Sequence, residues 1–357
     1  MRARRLPPSA LLALPSGELV GVVLLAPVTL PDGTIRKGTR LTQTQVEAIV
    51  AAARLGGVTR PLRVAWPEAG DVHEDDAAAR LAAAVSGAGI ELRPPRQSRI
   101  DLTARWAGVL HIRVDALGRL NAVDPIEVFT LYHGQAVTRG QVVAAVKVAP
   151  HLLPETVVLA GVEGARGAAP IVDVRPYLVH DVAAIAQESI TGDALTRFEA
   201  GARRKVESLG SRFAGTLVIG DEDPEAAEEG AVRALTEVVR ERGIGTVLVG
   251  GVSAGDPLSP FYAALERLGG RLLRRGVPAH PGSMIWLAEL DGARLLGLPQ
   301  CGMFTLATAA DLVLPRLLTG EALTAADLAD LGHGGLLGKE MRFRFPAYAQ
   351  DLPAPEG

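Results

Sequence analysis

The sequence predicts an α/β protein whose C-terminal half is a doubly wound, mostly parallel sheet and whose N-terminal region is β-rich. Three observations predict it. Beyond residue 170, apolar runs of strand length alternate with stretches of helical spacing, the grammar of strand–helix–strand units. Between 99 and 148, short runs alternate apolar and polar residues with turn residues between them, as half-buried strands do. Aromatics are only 4% of the 357 residues whereas hydrophobic residues make up 48%, so Ala, Leu and Val must fill the interior, as in Val/Leu strands layered under Ala/Leu helices.

Taken in order, residues 19–64 read as short strands and turns leading into a helix. Turns are expected at Pro31-Asp32-Gly33-Thr34 and Lys37-Gly38-Thr39, and Thr42 caps a helix running to about Leu55. Gly70-Asp71-Val72-His73-Glu74-Asp75-Asp76 leads into an Ala-rich helix over 75–87, with its acids where the helix dipole is positive; a short strand follows at 90–93. Strands are expected over 109–114, 126–131 and 142–146. The stretch 162–170, dense in Gly and Ala and without periodicity, is the candidate linker. After it come strand 178–186, helix 193–209, strand 214–219, helix 224–242, strand 245–249, helix 258–268 and a hairpin-like run over 286–296. A chain of this length holds two or three cores, and the expected division is an N-terminal β/α module (1–65), a mixed β-rich region (66–170), an α/β domain (171–335) and a tail (336–357).

The net charge of -3 supplies no long-range attraction for nucleic acid or an acidic membrane surface, so any phosphate must be held locally. One cysteine, Cys301, excludes an internal disulfide framework and a multi-cysteine zinc site, which suits a reducing cytoplasm. Arg2, Arg4 and Arg5 open the chain, but Pro7, Pro8, Pro15 and Glu18 interrupt the next apolar run before it attains signal-peptide quality. No apolar run reaches the ~18 residues of a membrane helix.

One stretch carries chemistry. Val247-Leu248-Val249 is a buried-strand run that stops at Gly250-Gly251-Val252-Ser253-Ala254-Gly255-Asp256, and helical spacing resumes at Leu258. Strand, glycine loop, helix is an arrangement that exposes main-chain N–H groups to an anion at the carboxyl end of a parallel strand. Ser253 adds a hydroxyl, and Asp256 is placed either to accept from a ligand amino group or to cap the next helix. Alone, such a turn is more often a plain connection than a site.

The order of features that follows narrows the reading. Pro281-Gly282-Ser283, the hairpin-like run and Gly297-Leu298-Pro299-Gln300-Cys301-Gly302 succeed the loop in the order of the molybdopterin-binding domain shared by molybdopterin molybdenumtransferases, molybdopterin adenylyltransferases and gephyrin, which this chain resembles over about residues 210–320. Taken whole, it is most similar to a divergent set of molybdopterin-binding proteins. The transferase motif GGVSxGD falls on Gly250, Gly251, Val252, Ser253, Gly255 and Asp256 unchanged. The PG of its PGKP falls on Pro281-Gly282, but its lysine is Ser283 here. Its GLPGNPVS begins at Gly297-Leu298-Pro299 and departs at Gln300, Cys301, Gly302, Met303 and Phe304. Its TGDE-like loop is reduced to Ala186-Gln187-Glu188-Ser189, and the likeness also puts Asp221 near the pocket.

The resemblance implies a C-terminal domain that binds molybdopterin, adenylylated or molybdenum-loaded, in cofactor biosynthesis, maturation or delivery. It also implies homo-oligomers and a molybdoenzyme client as partner. Active molybdate insertion, with Mg2+, is the alternative; the altered 299–304 loop argues against it, because an oxyanion would lack hydrogen-bonding groups there. An unrelated α/β scaffold is the third reading. His73-Glu74-Asp75-Asp76 is expected as a solvated helix start and not a metal site, since consecutive helical side chains diverge. Cys301 reads as a small apolar filler, His280 as a pocket or surface-loop residue, and Asp221-Glu222-Asp223 as the acidic start of a helix.

Overall fold

A computed structural model describes residues 1–352 apart from Gln97, Glu188, Ser189, Asp221, Glu222, Gln300, Cys301, Gly302, Phe304 and Thr305. The chain forms two units. One comprises Met1–Arg105, His111–His133 and Arg139–Val174; the other comprises Trp106–Leu110, Gly134–Thr138 and Arg175–Gly357. Among the described residues no helix is long and apolar enough to cross a membrane.

The first unit opens with β1 (Arg2–Leu6), α1 (Pro8–Ala13), β2 (Val23–Leu24), a hairpin of β3 (Val28–Leu30) and β4 (Gly33–Ile35), α2 (Gln43–Arg54) and β5 (Leu62–Trp66). β5 pairs antiparallel with β1 on one side and β2 on the other. The Thr42 hydroxyl accepts from the Gln45 amide while the Gln45 side chain accepts from the Thr42 amide, a capping box that starts α2 where its sequence signal stands. α2 then lays Val46, Ile49 and Val50 into a core with Leu11, Leu24 and Val64.

β6 (Asp71–His73) runs straight into α3 (Glu74–Val85). Along the chain follow β7 (Ile90–Leu92), β8 (Arg99–Ala104), β9 (Gly108–Ile112), α4 (Val114–Asn121), β10 (Ile126–Thr130), β11 (Ala136–Val137), which falls in the second unit, β12 (Val142–Val148), β13 (Leu152–Pro154), α5 (Glu155–Gly167) and β14 (Val172–Pro176). An antiparallel sheet of order β10–β12–β8–β7 supplies the β-rich character, with α3 packed on β8, β12 and α5. Two helices depart from expectation. α4 interrupts the stretch read as strands: its eight residues bury Ala116 and Leu120, and the Asn121 amide locks it to β10 by bonding both the N–H and the C=O of Val128 at 2.8 Å. α5 occupies most of the stretch read as a linker, and its Gly161 is a packing device, because a Cβ there would overlap Ile126 and Leu81.

The second unit contains β15 (Asp181–Ala186), α6 (Gly192–Glu207), β16 (Arg212–Val218), α7 (Pro224–Leu235) continued by a π-helical stretch (Thr236–Glu241), β17 (Thr246–Gly250), α8 (Pro260–Arg267), β18 (Arg271–Arg275), β19 (Trp286–Leu290), β20 (Ala293–Gly297), α9 (Ala310–Leu317), α10 (Ala325–Ala329) and α11 (Ala347–Gln350). Its six-stranded sheet has the order β16–β15–β17–β20–β19–β18. β16, β15, β17 and β20 run parallel, whereas β19 pairs antiparallel with both β20 and β18. Side-chain alternation along the strands sends Val182, Ala184, Ala186 and Leu248 into a core with Phe198 of α6 and Leu312 of α9. Ala183, Ile185, Val247 and Val249 enter another with Leu235 of α7 and Phe261 of α8. Helices therefore flank the parallel strands on both faces. The 336–357 stretch expected as a tail carries a 3-10 helix (Lys339–Arg344) and α11, and it buries Phe345 and Tyr348 in the first of these cores.

Candidate functional site

β17 ends the parallel part of the sheet at Gly250, and the loop that follows is the one the sequence singles out. Its first two glycines answer to packing. A Cβ on Gly250 would stand 2.7 Å from the Phe198 ring and 3.0 Å from the Met303 sulfur. Gly251 takes φ +83°, and a Cβ there would overlap the Gln187 carbonyl. Together they let the chain turn tightly over the carboxyl end of β15.

Beyond the turn the loop is pinned from below. The Trp286 indole donates to the Val252 carbonyl at 2.9 Å and the Tyr262 hydroxyl donates to the Ser253 carbonyl at 3.1 Å. The Arg275 guanidinium lies 4.4 Å from the Tyr262 ring centroid, with an Nη1 to Ala254 carbonyl distance of 3.5 Å. Burial pushes the Tyr262 phenol up to about 12, an effect that Arg275 opposes and Asp256 reinforces. These contacts engage carbonyls. Among the described residues, the N–H groups of Val252, Ser253 and Ala254 bond to nothing in the protein.

Further along, the Ser253 hydroxyl accepts from the Gly255 amide at 3.2 Å, and one Asp256 carboxylate oxygen accepts from the Leu258 amide at 2.9 Å. Asp256 is thus the head of a local Asx turn and not the cap of the following helix. That helix, α8, begins four residues later at Pro260 with Ser259 as N-cap, so the expected direct passage from glycine loop to helix N-terminus is replaced by an exposed connection through Leu258.

The other expected residues fall around this loop unevenly. Pro281 and Gly282 are buried, and Gly282 has φ +103°, its missing Cβ being the space taken by Thr308 and the Ala309 amide. The Pro281 carbonyl accepts from that amide at 2.9 Å. Ser283 is half-buried, and Met284 next to it brings its terminal methyl beside Gly255. Pro299 is buried at the end of β20, where the Leu298 amide donates to Val249 at 2.8 Å. Gln300, Cys301 and Asp221 lie outside the described residues. Of the neighbouring acids, Asp223 caps α7 by accepting from the Ala226 amide at 3.1 Å. His280 has its main chain paired with 335–337 and its side chain in solvent, and His333 is exposed.

Two polar groups of this region escape sequence reasoning. The Gln187 side-chain oxygen, on a residue 1% exposed, and the Ser259 hydroxyl are buried without a partner among the described residues. Gln187 sits under Gly251, and Ser259 precedes α8. A polar residue directly after a buried strand is the only signal for Gln187.

His73 and Glu74 also require correction. They are buried, 5% and 3% exposed, and not part of a solvated helix start. His73 donates from Nε2 to the Gly38 carbonyl at 2.8 Å and accepts from the Asp75 amide at Nδ1, a pattern that only the neutral Nε2–H tautomer satisfies. Among the described residues no cluster of His, Cys, Asp and Glu has metal-site geometry.

No protein-family model matches the chain, and no curated protein matches it. Solved structures similar to parts of it include the molybdopterin biosynthesis enzyme MoaB from Thermus thermophilus, 16% identical over 40% of this chain and 98% of that one, with a TM-score of 0.28. The molybdopterin biosynthesis MoeA protein from Pyrococcus horikoshii is 12% identical over 70% of this chain and 79% of its own, with a TM-score of 0.29. A NadC deletion mutant is 13% identical over 47% and 68%, with a TM-score of 0.16. Superpositions of this quality assign no activity.

Proposed function

We propose that the second unit binds molybdopterin through the 250–256 loop and serves in the biosynthesis, maturation or delivery of the molybdenum cofactor. The observation that carries this reading is the run of three consecutive main-chain N–H groups, Val252 to Ala254, left without protein partners among the described residues at the carboxyl end of a parallel strand. Unpaired main-chain N–H groups carry partial positive charge and suit a phosphate monoester. The positions are those of the GGVSxGD motif, which is intact in this chain.

The residues present fit the ligand at both ends. The amides take the phosphate, and Arg275, already beside Ala254, adds a full positive charge near it. Asp256 has given one oxygen to the Leu258 amide and holds the other available to a pterin amino group. When bound, molybdopterin supplies the dithiolene sulfurs that ligate molybdenum; the chain supplies recognition and a fixed orientation.

The test is retention of pterin by the full chain. Incubation with cofactor released from a molybdoenzyme, followed by desalting and mass spectrometry, is expected to recover molybdopterin in stoichiometric amount. Asp256→Ala should weaken binding about tenfold, the loss of one charge-assisted hydrogen bond. Protein that emerges free of pterin defeats the reading. Formation of active cofactor from adenylylated molybdopterin and molybdate would add metal insertion to binding.

A further inference from the structure

A second polar concavity lies within the first unit, remote in sequence from the loop just described. It encloses about 460 Å³ between the 36–40 segment, the start of α3 and the Pro95-Arg96 turn. Gly38 forms part of its wall with φ +80°, where any Cβ would overlap the Glu74 carboxylate and come within 3.2 Å of His151. The segment is therefore clamped against a Glu74–His151 pair of 2.7 Å whose carboxylate is buried and whose imidazole is partly exposed, with His73 holding the Gly38 carbonyl. That clamp fixes the main chain between Lys37 and Thr39, and Arg36, Lys37 and Arg40 line the opening beside it.

The charges divide into engaged and unengaged sets. Every lining acid has a partner: Glu74 has His151, Asp75 accepts from the Ser98 amide at 3.2 Å, and Asp76 is paired with Arg40. Of the first α3 amides, Glu74 donates to the His151 carbonyl and Asp75 to the His73 ring. Among the described residues, Arg36, Lys37 and Arg96 have no carboxylate partner. Three uncommitted cations thus face one cavity in a chain whose net charge is -3.

The lining identifies the ligand class. Apart from Gly38 and Pro95, every residue lining this cavity carries a polar or charged side chain. Guanidinium groups bond the oxygens of planar or tetrahedral oxyanions bidentately through their forked donors, and two linked phosphate groups offer enough such oxygens to span cations spread around one cavity. The volume is many times the ~30 Å³ of a water and far exceeds a lone oxyanion. We propose that this cavity is a binding site for a diphosphate group, carried by a small polar molecule or free as inorganic pyrophosphate, and separate from the 250–256 loop.

Inorganic pyrophosphate is the probe, titrated into the full chain while the imidazole carbon–proton resonances of His73 and His151 are followed. Those rings belong to the clamp, so they report this cavity and not the 250–256 loop. Saturable shifts are expected, with inorganic phosphate about tenfold weaker because it spans fewer of the cations. The triple substitution Arg36→Ser, Lys37→Ser, Arg96→Ser, at exposed positions that leave the core untouched, should weaken pyrophosphate at least about tenfold while pterin retention stays unchanged. Absence of shifts at both histidines, equal affinity for phosphate and pyrophosphate, or equal affinity in the triple variant would overturn the proposal.

Discussion

Asp311 is fully buried at the start of α9, yet both its oxygens are engaged. One receives the Lys205 ammonium and the Tyr348 hydroxyl, the latter at 2.8 Å; the other receives the Thr308 amide at 2.9 Å. Lys205 is itself only 4% exposed. Replacing Asp311 by Ala strands a buried ammonium, and the expected loss is about 3–5 kcal/mol in urea unfolding, with Lys205→Met similar because it strands the carboxylate. The double variant should cost clearly less than the sum; additive losses would show that the pair does not act as a unit. The same environment sets an alkaline limit. Burial pushes the phenols of Tyr348 and Tyr177 far above their usual value of 10, with Asp311 adding to the effect at Tyr348, and burial takes Tyr262 to about 12. The folded state then keeps protons that the unfolded chain releases near pH 10. Stability is therefore complete below pH 10 and declines as pH climbs toward 12, which denaturant midpoints between pH 8 and 12 will register. None of this network is legible in the sequence, because a buried Lys, Asp and Tyr far apart along the chain look like surface residues until the fold joins them.

Elements are legible in proportion to how local their causes are. α2 is announced by Thr42, and the β15-to-α8 alternation by apolar runs, because caps and periodicity act within a few residues. The π-helical end of α7 and the displaced start of α8 shift only boundaries. α5 escapes the sequence for a different reason. Its glycines mimic a flexible linker, whereas Gly161 exists because Leu81 of α3 and Ile126 of β10 occupy the space of its side chain. Gly164, one turn on, meets nothing within 4 Å. Two substitutions separate the readings. Gly164→Ala should stabilise by up to about 1 kcal/mol, the ordinary helix-propensity gain. Gly161→Ala gains the same propensity but must displace two packed methyl groups, so it should lose about 1–3 kcal/mol net. If both variants raise the thermal midpoint equally, α5 is not docked against its neighbours. The glycine loop after β17 shows the same ambiguity from the other side. Its motif reads as a phosphate approach, yet Gly250 and Gly251 are each fixed by a neighbouring atom, and only the unused amides beyond them speak for a ligand.

For the molecule as a whole, the sheet and its helices leave one face of the second unit's core dependent on the chain's last elements. Phe345 and Tyr348 are buried with Val182, Phe198 and Leu312, and Tyr348 closes the Asp311 network. The Arg204 side chain holds the Tyr348 carbonyl at 2.9 Å, tying α6 to α11. Sequence alone does not disclose this, since Arg342-Phe343-Arg344-Phe345 followed by Pro346 and the later prolines at 353 and 355 resemble a frayed end, and 3-10 turns have no period long enough to recognise. A chain ended after Gly338 removes Phe345 and Tyr348 and bares the core they cover; losing Phe345 alone costs roughly 3–5 kcal/mol, against a total of about 5–15 kcal/mol for a domain. It also leaves Asp311 and Lys205 facing a void. The expected outcome is loss of the cooperative unfolding transition of the second unit, seen by calorimetry and by rapid proteolysis within 175–338. The first unit, whose core in α2 and β5 contains none of these residues, should keep its own transition. A truncated chain that unfolds at the full-length temperature would mean that 339–357 lies on the core without supporting it.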